Sequence, residues 1–411
     1  MRPQADRPGR SRAATGQPKL PLSALLALAT AVFVTCLTEI LPAGVLPAMS
    51  ADLGVDESAT GQTVTIYAIG TVATAIPLAS ATAHWPRKRL LLTAMAGFAL
   101  ANTVTAVSSN YPLTMVARFV AGMAGGLAWA LLAGYARSLA PVPLQGRAIA
   151  IAMTGVPVAL SVGVPAGAFL GATLGWRVAF LTMTLITVAL LGWITVAVPD
   201  RPGRRTHARV RMRTALTVSG VAPVLLVTVC YVLGHTILYT YIATFLDRVG
   251  MGGATDRVLL VFGVAAMLGV WIVGAQVDRR LRTLMVASTV LVAVAAAILA
   301  TVADQPALVY VAATLWGLGW GGVPALLQAA VQSTAGGAAD AAQAMLVTLW
   351  NAATAGGGLV GGALLNLFGA LAFPWSVLAL LGPTLVIVLA ARAHGFPAPV
   401  AVPEPARTAA G

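Results

Sequence analysis

Twelve runs of roughly twenty or more mostly apolar residues, separated by short polar turns, dictate the solvent of this 411-residue chain. Crossing a hydrocarbon layer of roughly 30 Å takes about 20 apolar residues in a helix, because every backbone N–H and C=O must find its partner within the segment. The runs cover approximately 22–48, 59–82, 90–108, 111–136, 148–173 and 178–198, then 219–246, 257–277, 283–301, 306–332, 341–369 and 371–391. Only 9% of the residues are charged and 59% are hydrophobic, a balance that excludes a water-solvated surface. The expectation is an all-α membrane protein with twelve transmembrane helices.

The formal net charge of +13 suggests nucleic acid at first sight, but the distribution of charge along the chain argues for a membrane. With both termini cytoplasmic, 21 of the 25 Lys and Arg fall on the cytoplasmic side, Arg177, Arg248 and Arg257 fall outside, and Arg118 lies within a span. This is the positive-inside pattern, and it orients the chain. Localisation in a bacterial cytoplasmic (inner) membrane as a multi-pass protein follows as an expectation, with lipid rather than nucleic acid as its surroundings. The Arg-rich residues 1–20 read as a disordered cytoplasmic tail. A cleaved signal peptide is the competing reading, but the apolar run that follows continues well past a 7–15-residue core without an A-x-A site. Cys36 and Cys230 both fall within spans, so neither a disulfide framework nor a metal site is expected.

The longest charged connection, 199–216, divides the spans six and six. The expected organisation is therefore a tail at 1–20, a six-helix bundle at 21–198, a basic cytoplasmic linker at 199–216, a second bundle at 217–392 and a tail at 393–411. The bundles share features at a constant offset of 195 residues: Gly122 and Gly126 recur as Gly317 and Gly321, Gly163 and Gly167 as Gly358 and Gly362, and Asp52 as Asp247. A shared offset marks an internal repeat, and the GxxxG spacing of each glycine pair lets a neighbouring backbone come close.

Several segments carry a family resemblance. Gly274-Ala-Gln-Val-Asp278-Arg279-Arg280-Leu-Arg282, after the eighth span, resembles the signature loop G-x-x-x-D-R-x-G-R-R of the major facilitator superfamily. The loop after the second span keeps Arg87 and Lys88 but has Ala83 where the family has Asp. Arg118-Phe-Val-Ala-Gly122 is similar to the family's RxxxG motif, and Gly163-Val-Pro165-Ala-Gly167 resembles a variant of its antiporter motif in which Gly and Pro are not adjacent. Together with Thr38-Glu39 and Asp52-Leu-Gly-Val55, the pattern resembles arabinose-efflux-like and chloramphenicol-resistance-like drug exporters. The resemblance implies the major facilitator fold of two pseudo-symmetric six-helix halves, cytoplasmic gating loops at Arg87, Lys88, Gly274, Asp278 and Arg279, and a monomer that needs no cofactor beyond a proton gradient.

Glu39 and Arg118 are the two formal charges well inside the spans, and an ionisable group in hydrocarbon is costly enough to point to function. Counting 1.5 Å per residue from the outer helix ends puts both roughly 10–15 Å deep. Two readings stay open. Burial works against a charged carboxylate and a guanidinium works for it, so separating the two, or admitting a substrate cation, can switch proton binding. Alternatively, they form a static ion pair between spans one and four. His235, one residue from the repeat equivalent of Glu39, is a further candidate for proton coupling or substrate binding, with a hydrogen-bonded structural histidine as the alternative. Tyr67, Tyr231, Tyr239, Tyr241, Trp316, Trp320, Gln328, Trp350 and Asn351 are candidates to line a cavity for an amphipathic small molecule.

The leading functional expectation is secondary active export of a drug-like molecule in exchange for protons. A sugar or metabolite permease, uncoupled from protons, is the alternative, and a membrane sensor or enzyme is the distant one. The chain has no G-x-x-x-x-G-K-[ST] phosphate loop, no HExxH and no GxSxG motif, and its four histidines are scattered, so an enzyme is not expected.

Overall fold

The computed structural model describes residues 20–75, 78, 81–82, 84–141, 144–202, 216–391 and 395–396. Most of both tails and of the basic linker lie outside the described residues, as does Ala83. Twelve long helices account for almost everything else. In the first half they are α1 (Leu22–Leu53), α2 (Glu57–Ala75), α3 (Arg87–Val107), α4 (Tyr111–Ser138), α5 (Gln145–Leu174) and α6 (Trp176–Ala197). The second half comprises α7 (Val221–Thr240), α8 (Gly252–Val277), α9 (Arg279–Thr301), α10 (Pro306–Ala335), α11 (Ala339–Phe368) and α12 (Ala372–Ala390).

Ten of these are long and apolar enough to cross a membrane on length and composition. The other two, α2 and α11, pack on each other across the junction of the halves. Their Thr-, Ser- and Gly-rich sequences suit a helix that faces protein more than lipid. α1 extends to Leu53, a turn beyond the apolar run, and ends at Gly54 with φ +65°, whose N–H caps the Ser50 carbonyl. Gly175 at φ +92° lets α5 turn into α6 through a single residue, and Gly369 at φ +78° makes the corresponding corner before α12. α8 and α9 run on as one helix bent at Arg280, where φ −135° and ψ 31° leave the helical region.

The repeat has a structural counterpart. A Cβ at Gly122 would strike the carbonyl of Tyr67 on α2, and one at Gly317 would strike the carbonyl of Phe262 on α8. Tyr67 and Phe262 are themselves 195 residues apart. Each half is thus pinned by the same backbone-to-backbone approach between its second and fourth helices. The antiporter-like segment forms a second ladder: Gly163, Gly167 and Gly171 on α5 sit against Leu37, Leu41 and Val45 on α1, one helical turn apart on both sides. Just before it, Ala159–Gly163 form a π-helical turn, where Leu160 and Ser161 meet Gly263 of α8 in the other half.

Candidate functional site

α4 carries Arg118 into the middle of the first half, where the side chain is completely buried. A guanidinium has five N–H donors and no acceptor, so burial demands acceptors around it. Backbone carbonyls supply them. Nη1 donates to the Thr38 carbonyl at 2.8 Å, Nη2 to the Glu39 carbonyl at 3.4 Å and Nε to the Thr63 carbonyl at 3.4 Å. The ring of Tyr67 lies 5.0 Å from the guanidinium carbon and that of Phe180 lies 6.0 Å away, adding cation–π attraction. Asn102 secures α1 alongside, donating to the Thr38 hydroxyl at 3.1 Å.

α1 and α4 therefore bring Glu39 and Arg118 together, but through the peptide carbonyl of Glu39. Among the described residues, ion pairs within 4.0 Å are Arg177–Asp52 and Arg257–Asp256; the carboxylate of Glu39 takes part in neither. Glu39 is partly exposed, and the indole of Trp129 stands against its carboxylate. Trp129 lies 11 residues after Arg118, close to three helical turns, and so on the same face of α4. That spacing was the available signal for a residue the sequence reading did not single out. The arrangement holds a positive charge beside a partly exposed carboxylate that faces the Trp129 indole.

The second half answers with aromatic rings. His235 on α7 stacks face to face on Trp320, with ring centroids 3.4 Å apart and planes 7° from parallel. Trp316 donates its indole N–H to His235 Nδ1 at 3.1 Å. Tyr239, one turn along α7, stacks on His235 at 5.2 Å, and Phe262 of α8 closes the group. Trp350 of α11 lies 5.6 Å from Trp320. α7 also meets α1, the helix that carries Glu39. Tyr231 is instead tied into packing, bonded to Ser288 at 3.0 Å. Asn351 bonds within its own helix, and Gln328 is exposed.

The halves are stitched together at the end remote from the basic loops. Tyr241 donates to the Ser58 carbonyl at 3.3 Å and the Gly358 carbonyl at 3.0 Å, while Gln62 donates to the same Gly358 carbonyl at 3.2 Å. Asn366 bonds to the Ser58 hydroxyl at 3.2 Å, and Thr244 bonds to the Glu57 carboxylate. Gly358 and Gly362 make room for this seal, facing Thr65, Gln62 and Ser58 on α2. These hydrogen bonds between the halves lie together at one end. Tyr241 thus serves the seal; apart from Tyr241 and the repeat glycines Gly358 and Gly362, sequence reasoning did not find this set, because its members are joined only by the meeting of α2 with α11 and the segment that follows α7.

At the opposite end, Arg87 and Lys88 open α3 and grip the start of the linker. The Arg87 N–H bonds to the Arg201 carbonyl at 2.8 Å, the Lys88 N–H to Asp200 at 3.2 Å, and Lys88 Nζ to the Thr195 carbonyl at 2.7 Å. Gly274 is exposed with open space around it, and Arg279 is exposed beside the bend at Arg280. Asp278 lies in the same helix, with its side chain outside the described residues.

Comparison with known proteins agrees with this architecture. The family model described as "Major Facilitator Superfamily" matches residues 28–348. A chloramphenicol efflux pump of Mycobacterium tuberculosis is 32% identical over 372 residues, covering 87% of this chain and 90% of that protein. A protein of Pseudomonas aeruginosa named as a transcription regulatory protein is 32% identical over 302 residues, covering 72% of this chain and 75% of its own. Among solved structures, that of a nucleoside transporter superposes with a TM-score of 0.72 at 14% identity, over 89% of this chain and 98% of that one.

Proposed function

The chain belongs to the major facilitator superfamily, and from that premise we propose that it exports small hydrophobic or amphipathic molecules, antibiotics among them, in exchange for protons. It is a multi-pass membrane transporter and not an enzyme. In this reading the chain sits in a bacterial cytoplasmic membrane with both termini inside, and the bundles at 21–198 and 217–392 rock about the central site. Arg87, Lys88, Gly274, Asp278 and Arg279 act in the cytoplasmic gating loops, and the antiporter-like segment Gly163, Pro165 and Gly167 holds α5 close against α1 so that the first bundle moves as one body.

The observation that carries the proposal is the partnering of Arg118. Its charge is satisfied by carbonyls and aromatic faces, so the Glu39 carboxylate is left without an ion-pair partner at the boundary of the buried core. A carboxylate in that position can take a proton or a substrate group alternately, while the guanidinium beside it biases the exchange. The seal at the end remote from the basic loops supports alternating access, because an opening at one end needs a closure at the other. The likeness to the tuberculosis chloramphenicol efflux pump supports export as the direction.

The test is flux from cells or inside-out vesicles for a panel of antibiotics, nucleosides and sugars, comparing the native protein with Glu39→Gln. Uphill movement that a protonophore stops and Glu39→Gln uncouples sustains the reading. Downhill flux that survives both makes the protein a facilitator with Glu39 in a structural role. A gene-expression phenotype without flux would align it instead with the Pseudomonas relative.

A further inference from the structure

Two polar atoms stand unpartnered in the aromatic wall of the second half. The Tyr239 hydroxyl is buried and makes no hydrogen bond. One turn away on the same helix, His235 is 9% exposed and uses Nδ1 to accept from Trp316; its other ring nitrogen, Nε2, has no partner among the described residues. A neutral imidazole carries one proton, and a nitrogen that accepts an N–H cannot be the one that holds it. The Trp316 contact therefore sets the tautomer: Nδ1 bare, Nε2 protonated.

The ring cannot swing to offer the proton elsewhere. Trp320 covers one face at 3.4 Å, and Tyr239 and Phe262 crowd it at 5.2 and 6.1 Å. A fixed donor and an idle hydroxyl framed by aromatic surface form a recognition surface, since an unpaired polar atom among apolar groups is costly until a ligand pairs it. Aryl solutes suit the ring faces, which favour offset or edge-on stacking. An oxygen or ring-nitrogen acceptor on that solute would satisfy Nε2–H.

We propose that His235 is the specificity-determining hydrogen-bond donor of the transport site, held in its tautomer by Trp316, and that the site selects neutral aryl solutes bearing a hydrogen-bond acceptor. This makes His235 a substrate-reading residue separate from the proton-carrying part assigned to Glu39, and it rests on the transport reading above.

The test uses three shape-matched probes: 4-nitrotoluene, whose nitro group is its one acceptor; 4-isopropyltoluene, which has none; and the 4-methylphenyltrimethylammonium ion, a cation. Binding is measured by equilibrium dialysis against the full chain in nanodiscs, with empty nanodiscs as the blank. The native protein should hold the nitro probe about three- to tenfold tighter than the isopropyl probe, the worth of one neutral hydrogen bond. His235→Phe, which keeps a ring against Trp320, should lose that preference while binding the isopropyl probe as before, and His235→Gln, which keeps an N–H donor, should restore part of it. Equal binding of the two neutral probes, tightest binding of the cation, or a preference that survives His235→Phe each overturns the proposal.

A measurement on the native protein guards against a variant that does not fold. Ring-nitrogen NMR of histidine-labelled protein should show one histidine with Nδ1 unprotonated, and its Nε2 resonance should move with the nitro probe but not with the isopropyl probe. Finding that proton on Nδ1 also overturns the proposal. Proton-driven export of other compounds without any nitro preference would sink this inference and leave the transport reading standing. A His235-dependent preference without flux would do the reverse.

Discussion

The two halves share a skeleton and differ at the centre. In both, a glycine on the fourth helix lies against a carbonyl on the second, Gly122 on Tyr67 and Gly317 on Phe262. The functional residues do not repeat. Glu39 and Arg118 correspond by offset to Gly234 and Ala313, whereas His235, Trp316 and Trp320 correspond to Ile40, Ala121 and Gly125. The first half keeps a charge held by carbonyls, and the second keeps a neutral stack of rings. Symmetry is thus retained where backbones touch and lost at the residues proposed to handle ligand and proton. Close backbone approach tolerates only glycine, while a cavity wall accepts any side chain that fills or lines it.

The largest effect expected from breaking this comparison is at the shared skeleton. Gly122→Leu and Gly317→Leu should each destabilise by about 3 kcal/mol or more, because the obstacle is a backbone carbonyl that cannot step aside. Thermal unfolding in detergent should report the two losses as similar. If only one variant suffers, the halves are not equivalent in packing.

Next comes Arg118→Ala, which leaves the Thr38, Glu39 and Thr63 carbonyls without their donor. A cost of about 1.5–3 kcal/mol is expected for hydrogen bonds to a charged group, and Arg118→Lys should recover little, since an ammonium cannot span the same three carbonyls. Melting temperature and proton-coupled flux should fall together. The counterpart in the second half, Trp316→Phe, should cost only about 1 kcal/mol and leave protonophore sensitivity intact. Loss of coupling in Trp316→Phe would erase the division between a charged half and a reading half.

The inter-half seal sharpens the comparison further. Tyr241→Phe keeps the ring against Phe373 but removes the hydroxyl from Ser58 and Gly358. Weakening the closed end by about 1 kcal/mol shifts the balance between the two states roughly fivefold. Labelling of Ser58→Cys by an impermeant thiol reagent, applied to intact cells, should quicken by about that factor when Tyr241→Phe is added. An unchanged rate would mean that the seal does not set the conformational balance.

Much of the architecture was legible in the chain. Each apolar run is a local property, so hydropathy alone locates the helices, and α1 overran its expected end by only a turn, where Gly54 caps it. The offset of 195 residues anticipated the matched contacts of Gly122 and Gly317, whereas Gly163 and Gly167 face α1 of their own half and Gly358 and Gly362 face α2 of the other. The central site was legible only in its residue types. Glu39 and Arg118 stand out as charges in apolar runs, yet an ion pair and a carbonyl-held guanidinium read identically in sequence. Trp129 could have been found from its three-turn spacing to Arg118. The hydrogen-bonding side chains of the seal could not: Ser58 and Gln62, Tyr241 and Thr244, and Asn366 lie in three segments separated by more than a hundred residues, with no periodicity linking them.

By itself, then, the sequence determined the solvent, the helices and the division into related halves, because burial of backbone polar groups in lipid and close helix packing act on each segment separately. Only the tertiary structure decided which acceptors hold Arg118, which nitrogen of His235 is engaged and which side chains bond the halves together at the end remote from the basic loops. Those depend on distances between helices remote in the chain, and at that range a shift of 1 Å turns a hydrogen bond into a gap.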